Sequence, residues 1–489
     1  MTKLLCVLFT LGVLLFASAT AQPPAKPLAL THVTVIDLVS KAPLPDQTVI
    51  ITGDRITALG PAKRVKVPAE AEVIDATGKF LIPGLWDMHV HLTNQPDQTI
   101  SRELLLPLLV AFGVTGVRDM GGAWERLQQL RQAVAAGQII GPRIVAAGPF
   151  VDGPGFVEKP VRTADEARQR VRELKALGVD FIKVQANLSP EAYRAVLAEA
   201  KQLGLAVAGH VPEAVSAFEA AGSGQISIEH SSPILPGDAS LLLACSSKEE
   251  GLRAELLAIK TEAEKPNADR QQIRVRERAL QTQMLDSYDA QKCTRLATLL
   301  KQNNVAVVPT QVWGQRFAPL SAEDGVYPAA RPFMPAKTLA RFEERRLNGI
   351  KATAPGTFAL RQMIAEKTRE LVGTLRLNGV RLLAGTDALD GDVLPGLGLH
   401  QELELLVQTG LTPLEALKTA TRNAAQFLGE DGNLISPGKR ADLVLLDASP
   451  LQEIGNTRKI HAVVYGGKLL TAAQRQELLT KLAAFASQH

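Results

Sequence analysis

Two histidines one residue apart open the chemistry of this chain: His89 and His91, in Pro83-Gly84-Leu85-Trp86-Asp87-Met88-His89-Val90-His91. On a strand, positions i and i+2 project to the same face, so both imidazoles can converge on one point. Converging nitrogen donors are what a divalent metal requires. A lone His-x-His is weak evidence, because core histidines satisfied by backbone groups are commoner than metal ligands. Further candidates add weight. Gly209-His210, Glu229-His230 and Thr386-Asp387 each close a short segment, the last after the apolar Leu382-Leu383-Ala384, and Lys183 closes Asp180-Phe181-Ile182-Lys183-Val184. A bare ammonium among such ligands would repel a cation. Carbamylation by carbon dioxide would make the same side chain an anionic oxygen ligand able to bridge two metals, and burial, which favours the neutral amine, suits that use.

These residues need elements that bring them to one place. Between 83 and 430, short apolar strands alternate with amphipathic helical stretches, and the strand-like segments end near His91, Asp119, Gly148, Lys183, His210, His230, Thr310 and Asp387. Eight βα units in series predict an α/β fold, a (β/α)8 TIM barrel, with every candidate at the C-terminal mouth. Helix starts support this register: Thr163-Ala164-Asp165-Glu166 and Thr412-Pro413-Leu414-Glu415 read as capping boxes, and Ser189-Pro190 starts a helix in a similar way.

On either side the rhythm changes to the alternation of a half-buried sheet, as in His32-Val33-Thr34-Val35-Ile36-Asp37 and again in Ala441-Asp442-Leu443-Val444-Leu445-Leu446-Asp447. Segments 28–82 and 431–472 are therefore expected to form one small β-sandwich domain, followed by a C-terminal helix over 473–489. Two connections, 234–304 and 314–378, are too long for simple βα units. Both leave from strand C-termini and should hang over the mouth as lids or substrate-selecting walls. The first is helical and carries the charged run Arg270 to Arg278, read as a solvated helix face.

Lys3 precedes an apolar run from Leu4 to Phe16, followed by Ala17-Ser18-Ala19-Thr20-Ala21. This reads as a secretory signal peptide over 1–21 with an A-x-A cleavage site, and predicts a periplasmic or secreted protein starting at Gln22. The run is too short to cross a bilayer, which takes about 20 residues, so no stable membrane insertion is expected after cleavage. The formal charge of +4 on 489 residues is small and interspersed, and aromatics are 4%, which argues against a nucleic-acid surface. Cys245 and Cys293, beyond the leader, are too few for a cysteine-rich zinc framework. Export permits a disulfide between them, but two free buried cysteines fit the sequence equally well.

The ordered set His89-x-His91, Lys183, His210, His230 and Asp387, inside a split β domain, resembles the amidohydrolase superfamily. It is most similar to the branch of imidazolonepropionases and Xaa-Pro dipeptidase-like carboxypeptidases. The resemblance extends through Gly113-Val114-Thr115-Gly116-Val117-Arg118-Asp119-Met120-Gly121-Gly122 and Pro437-Gly438-Lys439-Arg440-Ala441-Asp442-Leu443-Val444. It implies two divalent metal ions, zinc first, with manganese, cobalt or iron also suited to mixed nitrogen and oxygen ligands. In it His89, His91 and Asp387 hold the more buried metal, His210 and His230 the more exposed one, and carbamylated Lys183 bridges them. Imidazolonepropionases are cytosolic single-metal enzymes without the bridging lysine, so Lys183 and the leader favour the dipeptidase-like form. The implied reaction is hydrolysis of a C–N bond in a dipeptide-like or N-acyl amino acid substrate by metal-activated hydroxide, with Asp387 as the catalytic acid–base.

Other residues carry weaker signals. Arg118 and His400 are candidates for substrate binding, set against an internal ion pair for the first and helix capping for the second. Arg316, Arg345, Arg346 and Lys351 lie in the second long connection, where one could hold a substrate carboxylate, although solvation is their ordinary role. Gly222-Ser223-Gly224 lacks the strand-turn-helix setting of a nucleophilic serine. The alternatives are an esterase, lactonase or cyclic-amide hydrolase on the same metals, and a scaffold that keeps the fold without catalysis. A homo-oligomer is compatible with either.

Overall fold

The computed structural model describes residues 26–40, 42–94, 97–155, 157–231, 240–315, 328–352, 356–388, 393–430 and 435–489. The leader segment 1–21 and Arg316 lie outside the described residues, as does the Lys351 side chain.

The alternating segments at the two ends join in one hydrogen-bonded sheet. Its strands are β1 (Leu28–Val35), β2 (Leu44–Thr52), β3 (Arg55–Pro61), β4 (Glu72–Asp75) and β5 (Phe80–Pro83). After the intervening chain come β13 (Leu443–Leu446), β14 (Ile460–Tyr465) and β15 (Lys468–Leu470). The order is β15-β14-β13-β5-β1-β2-β3, with β4 branching from β1. The first half meets the second where β13 runs antiparallel to β5, Leu443 opposite Pro83. Where a two-sheet sandwich was expected, the pairings give a single eight-stranded sheet: β1 changes partner along its length, from β4 at Leu28–Thr31 to β5 at Thr34–Val35. Inward residues such as Val33, Val35, Val49, Ile51, Leu81 and Leu443 pack a separate small core.

The central part is α/β, with seven short parallel strands: β6 (Leu85–Val90), β7 (Val114–Asp119), β8 (Arg143–Ala146), β9 (Ile182–Val184), β10 (Val207–Gly209), β11 (Ser227–Glu229) and β12 (Ala306–Val308). They form two sheets, β6-β7-β8 and β9-β10-β11-β12, and not one closed ladder. Isolated parallel bridges connect the arcs: Val151 to Val184 between the β8 and β9 ends, and Val307 to Leu382 and Val90 to Ala388 around the segment leading to Asp387. That last segment bridges both neighbours without forming a ladder of its own. Its Gly385 permits a close pass, since a Cβ there would lie 2.9 Å from the His89 backbone nitrogen. The two chains approach too closely for side chains between them.

Helix starts follow the sequence signals. Thr412 and Glu415 close a full capping box, Thr163 accepts from the Glu166 backbone N–H, and Ser189 accepts from that of Ala192. The C-terminal helix, Ala472–Gln488, has its own capping box at Thr471. Among the described residues no helix is long and apolar enough to cross a membrane.

The first long connection rises as a helical hairpin, Glu249–Ala263 and Arg270–Asp286. Cys245 and Cys293 form a disulfide at its base, beside an antiparallel bridge from Ser246 to Tyr288. Arg276 on the second helix reaches Glu255 and Glu262 on the first.

Candidate metal centre

His89, at the end of β6, lies 1% exposed, and its Nδ1 is 3.0 Å from Glu229 Oε2. His91 Nδ1 is 2.9 Å from the Gly121 carbonyl, and His230 Nδ1 is 2.7 Å from Thr310 Oγ1. Partnering at Nδ1 turns the Nε2 atoms inward, where they face one carboxylate. Asp387 Oδ1 is 3.4 Å from His89 Nε2 and 3.2 Å from His91 Nε2, and its Oδ2 is 4.0 Å from His230 Nε2. Ligand atoms of His89, His230 and Asp387 all lie within 4.8 Å of one another. His210 joins the cluster edge-on to His230, at 4.8 Å between ring centroids.

Backbone conformation helps to aim these groups. His230, Thr310 and Asp387 are non-glycine residues with positive φ, 65°, 46° and 55°. Such residues are uncommon, and their clustering at one site marks a geometry held by its surroundings. Gly209, at φ 134°, makes room beside Lys183: a Cβ there would meet Val184 O at 2.2 Å and Lys183 Cδ at 2.9 Å. Lys183 itself is 1% exposed and lines the same cavity as the histidines and Asp387.

The electrostatics suit a cation. Burial holds His89 and His210 well below the ordinary imidazole value, and brings His230 down to about 4. These rings are neutral near pH 7, the state in which a ring nitrogen can bind a metal. For His91, burial also lowers the pKa, but contact with Asp387 outweighs it and the net shift is upward. Asp387 is displaced downward: burial opposes ionisation, and His89 and His91 more than offset it. A carboxylate and several neutral imidazoles, their nitrogens converging on one space, form a donor set that fits divalent metal.

Below the cluster is a layer that strand-end reading cannot reveal. Glu229, 2% exposed, takes two bonds of 2.8 Å from Arg118 Nη2 and one of 2.5 Å from Ser227 Oγ while bonding His89. Arg118 also donates to the Met88 carbonyl at 2.7 Å. Arg118 therefore forms an internal ion pair with Glu229 and is not among the residues that line the cavity. His400 does not line it either: fully buried, it lies 2.9 Å from Thr457 Oγ1 and 3.0 Å from the Phe112 carbonyl, a structural position. Arg345 and Arg346 are likewise absent from the cavity wall.

The cavity above the cluster has a volume of about 460 Å³. Phe150 and Trp313 flank the metal end, at 5.8 Å from His91 and 5.3 Å from His230 between ring centroids. The hairpin supplies the far wall through Leu256, Ile259, Lys260, Ala263 and Glu277. Lys260 Nζ donates to Glu213 Oε2 at 2.5 Å and to Asn187 Oδ1. Asn187 in turn donates to both oxygens of Asp152, at 2.7 and 2.8 Å. Arg253 pins the same helix to the carbonyls of Glu213 and Val215.

The sequence matches the model described as "Amidohydrolase family" over residues 80–238 and 300–470. An adenine deaminase of Chelativorans sp. (strain BNC1) is 32% identical over 219 residues, 42% of this chain and 35% of that protein. An imidazolonepropionase of Ruegeria sp. (strain TM1040) is 36% identical over 129 residues, 24% of this chain and 30% of that one. The alignments thus span about a third of the length of these relatives. A candidate prolidase from Bifidobacterium longum superposes over 94% of this chain and all of its own, with a TM-score of 0.64 at 25% identity.

Proposed function

The chain belongs to the amidohydrolase family, and from that premise we propose that it is a metal-dependent hydrolase that cleaves an amide C–N bond in a dipeptide-like or N-acyl amino acid substrate. The observation that carries this reading is the convergence of His89, His91, Lys183, His210, His230 and Asp387 on one cavity. The central strands are read as the wall of a TIM barrel whose ladders are interrupted where the arcs meet. In this reading His89, His91, His210, His230, Asp387 and a carbamylated Lys183 would together hold two divalent cations, zinc first. The cations, when bound, acidify water and polarise the scissile carbonyl.

The chain's own residues do the rest. Glu229, Gly121 and Thr310 fix which nitrogen of each ring faces the cavity. Asp387, held ionised by its histidine neighbours, accepts the proton of the attacking water and delivers it to the leaving nitrogen. Phe150 and Trp313 narrow the space around that transfer and keep bulk water away. The Cys245–Cys293 disulfide agrees with export after cleavage at Ala21 to a periplasmic or secreted location, since disulfides persist in oxidising compartments.

Metal analysis of purified protein, combined with a screen of dipeptides and N-acyl amino acids, tests the reading. The expected result is two metals per chain and turnover of at least one amide class. Lys183→Ala should lose metal and activity together, and short carboxylic acids should restore part of both. Turnover of esters or lactones with silence across the amides would replace it by an esterase or lactonase on the same site.

A further inference from the structure

The cavity's charges are unevenly matched where its wall is not made by the candidate metal ligands. Its wall there carries Asp152, Glu213, Lys260 and Glu277. Lys260 is engaged by Glu213 and Asn187, and Asp152 accepts both donors of Asn187. Glu277 has no hydrogen bond or ion pair among the described residues. The cations it feels, Arg274 and Arg278, lie on its own helix and act only at a distance. Glu277 is half-buried, and partial burial raises its carboxyl. The same cavity is lined by the apolar side chains of Phe150, Ala186, Leu256, Ile259, Ala263 and Trp313, of which Leu256, Ile259 and Ala263 stand on the helix paired with that of Glu277 in the hairpin.

A cavity wall that sets a carboxylate without an ion-pair partner among apolar side chains has a chemical complement. We propose that Glu277 selects substrates that carry a positive charge, an ammonium or guanidinium, on an aliphatic arm pointing away from the scissile bond. The arm would lie along Leu256, Ile259 and Ala263, with its cation against the Glu277 carboxylate. A substrate with an anionic arm would meet a carboxylate with no cation paired to it: Arg274 and Arg278 act only at a distance, and Lys260 is engaged by Glu213. The proposal rests on the amide-hydrolase reading for the scissile bond, but the selection it describes belongs to the far wall and applies to any bond cleaved at the metal end.

The test uses three amides sharing one scissile bond and differing in the arm: lysyl, norleucyl and glutamyl. Wild-type protein should favour lysyl over norleucyl by about twofold to fivefold in kcat/KM, through KM, the scale of one partly exposed ion pair, and should disfavour glutamyl. Glu277→Gln should bring the lysyl and norleucyl values together, and Glu277→Lys should move the preference to glutamyl. Metal content measured on each preparation controls for folding of the centre. A lysyl-to-norleucyl ratio unchanged in Glu277→Gln, or absent in wild type, overturns the proposal. If the amides are silent while matched esters are cleaved, the amide reading fails and the same ratio is read on the esters. If neither series turns over, calorimetric binding of the three intact amides gives the ratio directly.

Discussion

The floor of the cavity and the hairpin that walls it are built on opposite plans. On the floor, His89, His91 and His230 are each held at Nδ1 by a separate oxygen, and Glu229 is fixed in turn by Arg118 and Ser227. Strands of only three residues, a close glycine and left-handed backbone at His230, Thr310 and Asp387 leave these groups little freedom. The hairpin is two long helices joined to the rest of the fold by the disulfide and bridge at their base, by Lys260 and Arg253 at the cavity, and by an apolar face that sets Leu252, Leu256, Ile259, Ile273 and Leu280 in the main core. Chemistry that depends on close placement belongs where three of the clustered histidines each have a second partner, whereas the proposed selection falls to an inserted element whose cavity-facing side chains lie outside that network.

Substitutions on each side should behave accordingly. The largest effect belongs to Asp387→Asn, which keeps shape and one ligating oxygen but removes the titratable site. Rates on amides should fall about 10²–10⁴-fold, with a smaller loss on a matched aryl ester, while metal content largely survives. Equal losses on both substrates in fully metallated protein would leave Asp387 only a ligand or base. Next comes Glu229→Gln, which replaces the carboxylate partner of His89 with an amide. Loss of such an outer partner typically costs about 10–100-fold in metal affinity or activity, read by competition with a chelator. Arg118→Lys should fall in the same direction through Glu229. Full metal affinity in either variant would show that the floor does not need its second layer. The smallest effect is expected for Lys260→Met, which unfastens the hairpin at the cavity. KM should rise a few-fold, the scale of one partly exposed ion pair, with kcat and metal content close to wild type. A kcat loss as large as that of Glu229→Gln would mean that the hairpin positions the chemistry and does more than select.

The same contrast governs what could be read from the sequence. His89, His91, Lys183, His210, His230 and Asp387 were legible because strand ends are local features, and a parallel fold places successive strand ends on one side. Glu229 lay in plain sight beside His230, yet its partnership with His89, 140 residues earlier, depends on which strands face each other across the interior. The final strand, expected at Leu382 to Asp387, contributes only bridges among the described residues, a matter of pairing with distant neighbours that its apolar run does not encode. The run Arg270 to Arg278 reads as solvated, and most of it is, but helix rotation against the first hairpin helix turns Glu277 to the cavity. The pairing of Cys245 with Cys293, open in the sequence, follows from the hairpin folding back on itself.

That disulfide has a consequence for how the molecule would be cut. The exposed turn at 264–269, between the hairpin helices, falls inside the covalent loop closed by Cys245 and Cys293. A protease that severs the turn would therefore leave one molecule, its two pieces tied below the cut, and on a gel the nick would show only after reduction. All six clustered residues lie outside that loop, so a protein clipped in this way would keep its histidines, Lys183 and Asp387 in register while its selecting wall came apart.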